Sequence, residues 1–165
     1  ATRLVALSAL AEFGSPEGVP RIAQATRDSD EGVRVAATGF LSARSDVQAS
    51  AELLTLLSDD PSRQDLVRAL ARTQPGRREA ITAALLCADD AFASSLVAAL
   101  ARMQTEEAVL AIRGALASPN DAARRAAASA LVAMQDVASF PALERAALSD
   151  PDAEVRRICA ASLVR

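Results

Sequence analysis

Apolar residues recur along this chain at four-residue steps, in short blocks separated by polar turns. Val33, Ala37 and Leu41 share one such face, and Val155, Cys159 and Leu163 share another. That spacing lays side chains along one stripe of a helix and predicts amphipathic α-helices. Each block also carries a leucine seven residues after an arginine, or in one case an alanine. The pairs are Arg3 and Leu10, Arg34 and Leu41, Arg63 and Leu70, Ala93 and Leu100, Arg124 and Leu131, Arg156 and Leu163. Successive intervals are 31, 29, 30, 31 and 32 residues, a tandem period that signals a helical solenoid.

Each period holds two predicted helices. The B helix carries the arginine and leucine, and the A helix before it is seen in "DVQASAELLTLL", "RREAITAALL", "EEAVLAIRGAL" and "FPALERAAL". Between A and B lie "RDSDEG", "SDDPS", "CADDA", "ASPND" and "SDPDAE". Asp and Ser there accept hydrogen bonds from the free amides of a new first turn, and Pro suits an early helix position with no amide to offer. A lone helical hairpin cannot bury both of its faces, so neighbouring hairpins stack and bury them for one another.

Composition sharpens this into an all-α expectation. Hydrophobic residues make up 51% of the 165 positions but aromatics only 2%, so the apolar share rests on Ala, Leu and Val. Ala and Leu are strong helix formers. All 18 basic residues are arginine, which fits the codon bias of a GC-rich genome. A net charge of −3 argues against a generic nucleic-acid or membrane-surface binder, which usually carries a basic footprint. No apolar run approaches the roughly 20 residues of a membrane span, and nothing at the start reads as a signal peptide, so a cytoplasmic location is expected. The chain opens inside a B helix and stops two residues after Leu163. That predicts one domain over residues 1–165, with five to six repeats, cut from a longer array whose further repeats would cover its apolar ends.

"SDPDAEVRRICAASL", "RDSDEGVRVAATGFL" and "FGSPEGVPRIAQATRDSDEGVR" resemble the short HEAT-like repeats of the phycobilisome-lyase type, about 30 residues per unit. The resemblance implies an α-solenoid whose B helices line the concave side. It also implies an inter-repeat ladder of a turn Asp and an Arg six residues later, met here by Asp28 with Arg34 and Asp150 with Arg156. The ladder fails at Ser118 with Arg124 and at Cys87 with Ala93, and the turn before Arg63 is two residues shorter.

Catalytic chemistry finds little to work with. Without His or Lys there is no imidazole base, no Ser-His or Cys-His pair, no Schiff-base nucleophile and no His metal ligand. The acidic groups Asp28, Asp30 and Glu31, then Asp59 and Asp60, Asp89 and Asp90, and Asp150 and Asp152 all fall in A-to-B turns, where a helix N-terminus favours negative charge. They read as caps, not metal sites, and replacing Asp150 by Ala is expected to remove one cap at about 1 kcal/mol. Cys87 and Cys159 lie more than two repeats apart, beyond disulfide reach, and read as free buried thiols. No catalytic residue, cofactor or metal is expected.

What remains is surface. Positions one, five and nine after the arginine form a B-helix stripe opposite the core. It collects Arg68, Arg72, Arg102, Arg125, Arg157 and Arg165 against a single acid, Glu12. An arginine fork binds carboxylate bidentately, so the expected function is a non-catalytic scaffold whose Arg-lined groove takes an acidic partner segment. Solvated helix surface is the plain alternative. Two others come from different classes. Phosphate-backbone binding by a HEAT-like module is disfavoured, because Trp and Tyr are absent and no stacking platform is available. A bilin-lyase-like or accessory role rests on fold analogy alone.

Overall fold

The computed structural model describes residues 2–163, so Arg165 of the predicted stripe lies outside the described residues. In chain order the helices are α1 (Thr2–Phe13), α2 (Val19–Ala25), α3 (Glu31–Ala43), α4 (Val47–Asp59), α5 (Gln64–Leu70) and α6 (Arg77–Ala84). They continue with α7 (Asp90–Met103), α8 (Glu106–Ala115), α9 (Asp121–Met134), α10 (Phe140–Ser149) and α11 (Ala153–Leu163). Single 3₁₀ turns at Pro16–Gly18 and Val137–Ser139 lead into α2 and α10. No strand occurs among the described residues. The expected all-α solenoid of A and B helices is therefore the observed architecture, with α1, α3, α5, α7, α9 and α11 as B helices.

The polar turns start the helices as their chemistry requires. The Asp30 carboxylate accepts from the amides of Gly32 and Val33 ahead of α3, and Asp89 accepts from Phe92 ahead of α7. Asp46, Thr105 and Asn120 cap α4, α8 and α9 in the same way. At the other end, Gly14, Gln104 and Gln135 occupy equivalent places eleven residues past the repeat arginine position. All three are in the left-handed region, with φ of 63°, 53° and 53°. Glycine meets that demand without strain, whereas glutamine has a Cβ that opposes it.

The chain divides into two compact units, residues 1–80 and 81–165. In the first, α1, α2 and α3 each pack on the next helix and the next but one, and α4 packs on α5. Its core is Val19, Ile22, Val33, Ala37, Leu41, Leu53, Leu57, Leu66 and Leu70, all nearly or fully buried. In the second, α7, α9 and α11 pack in succession, with α8 and α10 against them. Leu96, Leu100, Ile112, Ala127, Leu131, Leu143, Val155 and Cys159 form that core. Every predicted core position of α3 is thus buried, and burying each large aliphatic contributes about 1.5–3 kcal/mol. The B helix α5 is short, seven residues against 13 in α3 and 14 in α7 and α9.

Cys87 departs from expectation. It lies in the turn after α6 and is exposed, whereas Cys159 is buried and burial pushes its thiol pKa up. Both are unpaired. The turn after α6 starts three residues earlier than the apolar pattern of "AALLC" suggests, which carries Cys87 off the core face.

Candidate functional site

The repeat arginines point first at the main chain. Arg34 Nη1 donates to the carbonyls of Asp28 and Ser29, at 2.9 and 3.0 Å. Arg156 Nη1 does the same to Asp150 and Pro151, and Arg124 Nη1 to Ser118 and Pro119. The contact six residues back is therefore to a backbone oxygen, and the side chain there is irrelevant to it. In the ladder, Asp28 meets Arg34 and Asp150 meets Arg156 through main-chain oxygens. The carboxylates instead answer the arginine of the preceding repeat, Asp28 to Arg3 at 3.0 Å and Asp150 to Arg124 at 3.0 Å. Ser118 likewise poses no interruption, because Arg124 takes its carbonyl. Asp150 is consequently more than a cap, for it sits with Arg124 in a nearly buried pair and also accepts from the amide of Asp152.

Ala93 leaves a genuine gap in this scheme, and a different residue closes it. Asn120 of the following repeat donates its Nδ2 to the carbonyls of Leu85 and Ala88, both at 2.8 Å. Ala88 stands five residues before Ala93, the place that Ser29, Pro119 and Pro151 hold before their own arginines. The carbonyl is satisfied from the neighbour when its own repeat cannot supply a donor.

The predicted partner-binding arginines divide sharply. Arg68 and Arg102 are exposed B-helix residues with no hydrogen-bond or carboxylate partner among the described residues. Arg72 is exposed and makes one bond, to Ser42 Oγ at 3.2 Å. Arg125 is half-buried and taken up by three carboxylates from successive repeats: Asp90, Asp121 and Asp152, the last at 2.6 Å. Those partners raise its pKa, and its hydrogen bond in turn holds Asp152 below the usual carboxylate range. Arg157 is exposed but bonded to Glu154 on its own helix. In the second unit the stripe is therefore largely neutralised by acids at the helix starts, and among the described residues Arg102 is its free cation.

Arg77 was not foreseen as special. Its side chain is fully buried and no carboxylate accepts from it among the described residues. Instead it donates to Leu41, Ser42 and Arg44 carbonyls at the end of α3, at 3.4, 2.9 and 2.8 Å. It also reaches Ala69 and Arg72 carbonyls at the end of α5, and Ser50 Oγ. These are the unpaired acceptors and negative dipole ends of two helices. Burial pushes its pKa down and the Arg72 charge adds to that, with Asp46 opposing. A signal existed in the sequence, since Arg77, Ile81 and Leu85 stand at four-residue steps and the latter two are buried. Arg113 was missed as well; it forms a bidentate pair with Asp136, 2.6 Å on each side, and holds that carboxyl low.

Among the described residues, no group of three His, Cys, Asp or Glu is placed to hold a metal, and no helix is long and apolar enough to cross a membrane.

A family model described as HEAT repeats matches residues 1–74 and 78–164. No curated protein matches the chain. A solved structure of human deoxyhypusine hydroxylase in complex with glycerol is similar at a TM-score of 0.46 and 18% identity, over 97% of this chain and 88% of that one.

Proposed function

The chain belongs to the HEAT repeat family, and from that premise we propose that it is a non-catalytic interaction scaffold whose B-helix face binds an acidic partner segment. One observation, made in each unit by itself, carries the reading: among the described residues Arg68 in residues 1–80 and Arg102 in residues 81–165 stand exposed and without partners, while most other arginines are held by carboxylates or carbonyls. A guanidinium whose five donors are all free has the most to gain from a carboxylate that arrives from outside. Arg72, with one hydroxyl partner, joins them. Arg125 and Arg157 contribute to shape more than to charge, since acids of the same chain already hold them.

Changing Arg68, Arg72 and Arg102 together to Glu is expected to lower the affinity for a labelled peptide of Glu and Gly alone, which carries charge without an apolar residue, by about tenfold or more and to leave helicity by circular dichroism unchanged. Affinity of the natural chain falls as salt rises, because exposed charges are screened over about 8 Å at physiological ionic strength. Reversing Glu52, Glu106 and Glu107 on the A helices is the control. Loss of binding in the control and not in the arginine variant would place the working face on the A helices. Duplex DNA bound more tightly than the acidic peptide would replace the scaffold reading with a phosphate-backbone one.

A further inference from the structure

Arg145 is another exposed arginine with no partner among the described residues, and it lies on an A helix, α10. It lines a pocket of about 540 Å³ with Arg113 of α8 and Arg124 of α9, over apolar surface from Leu116, Ala142 and Pro151. The three arginines do not play the same part. Arg124 is saturated, its Nη1 by two carbonyls and its Nε and Nη2 by Asp150. Arg113 uses Nε and Nη2 on Asp136, which leaves its Nη1 unoccupied and its head rigidly held. Arg145 offers its whole fork. Asp150 is the acid in the lining, and Arg124 already answers it. The pocket therefore keeps a net positive charge beside an apolar floor.

The same design recurs in the first unit. There a pocket of about 590 Å³ is lined by the Arg3 and Asp28 pair, by Arg27, which is tied to Asp59, and by Arg21, which is exposed and unpartnered. In both units a pair linking one repeat to the next walls the cavity, and a free A-helix arginine stands at it.

We propose that the α8–α10 pocket is a second binding site, taking a carboxylate side chain of a partner protein together with an apolar residue beside it. Charge complementarity selects the acid, because Arg145 and Nη1 of Arg113 are donors without acceptors. The apolar floor selects its neighbour. The site shares the partner's charge with the B-helix reading but none of its residues, so each can fail alone.

The test is fluorescence anisotropy with a labelled peptide of Glu-Leu-Asp-Gly repeats, against matched peptides with Gln and Asn for the acids or Gly for Leu. Arg145→Glu removes the free cation, Ala142→Phe fills the floor without changing charge, and Arg68→Glu with Arg102→Glu leaves the pocket intact. Affinity is expected to fall about tenfold or more in each pocket variant. It is expected to survive in the B-face variant and, in that variant, to be weak for both altered peptides. Wild-type affinity in Arg145→Glu would overturn the proposal, as would equal binding of the Leu-containing and Leu-free peptides by the B-face variant or full displacement there by inorganic phosphate, since either reduces the site to a simple anion patch. Binding lost only in the B-face variant would overturn this site and leave the earlier reading standing. Arg145 has no folded-state partner to lose, so its variant remains informative even if Ala142→Phe does not fold.

Discussion

The two units are built from one repeat and both carry ion pairs, yet their buried arginines, Arg77 and Arg124, are held by different means. Residues 1–80 bury a single cation, Arg77, among neutral acceptors: five backbone carbonyls and a serine hydroxyl. Residues 81–165 use matched charges, with Arg124 on Asp150, Arg113 on Asp136 and Arg125 on three aspartates. The contrast shows that a helical repeat requires only that its turn carbonyls and helix ends find donors. Whether the donor belongs to an ion pair or stands alone is open to each repeat. What differs is the consequence of removing it.

Truncating Arg77 should be the most damaging change. Arg77→Met keeps the stem but strands the carbonyls of two helix ends away from water, and a loss of about 3–5 kcal/mol is expected by urea unfolding. Arg124→Met comes next, at about 3 kcal/mol, because it leaves Asp150 nearly buried and unpaired. Asp150→Ala falls in the same range and well above the loss of a simple cap. If the double variant of Arg124 and Asp150 costs as much as the two singles summed, the pair is not coupled and the contrast between the units weakens.

Asn120→Ala is expected to cost about 2 kcal/mol, since it removes a helix cap and the donor to two carbonyls together. Gln104→Gly and Gln135→Gly should each stabilise the fold by up to about 1 kcal/mol by relieving the left-handed backbone. Smallest of all is Arg27→Gln, which breaks an exposed pair with Asp59 and should shift stability by less than about 0.5 kcal/mol.

Acid sharpens the same comparison. Asp136 and Asp152 are held below the usual range by hydrogen bonds from Arg113 and Arg125. A depressed folded pKa gives stability that is present above the unfolded value, near pH 4, and is lost as pH falls through the folded one. Arg113→Gln should therefore flatten the stability profile below about pH 4 as well as lower the plateau. An unchanged acid limb would show that the Asp136 pair contributes no pH dependence.

Much of this molecule was legible beforehand, and the legible part is local. The repeat register, the A and B helices and the cores of α3 and α11 follow from four-residue periodicity and turn chemistry, which a side chain expresses at its own position. Arginine partners do not. The guanidinium reaches its own turn, the next repeat or a distant helix end, and a carbonyl acceptor leaves no mark on the sequence. Hence the second arginine of each ladder Asp, Arg3 at Asp28 and Arg124 at Asp150, is hidden in the sequence, and the stripe counts Arg125 and Arg157 as equals of Arg68 and Arg102. Asn120 filling in for the missing arginine at Ala93 was equally hidden, since its cap role alone accounts for an Asn there.

The central claim is that saturated arginines hold the fold and free ones make its contacts. It is tested most directly by one variant in which Arg21, Arg68, Arg102 and Arg145 all become Gln, titrated with the labelled acidic peptide. Exposed, unpartnered side chains contribute within about 0.5 kcal/mol each to folding, so the variant should unfold close to the natural chain. It should show no binding at peptide concentrations that saturate the natural chain. Wild-type affinity in that folded variant would contradict the account.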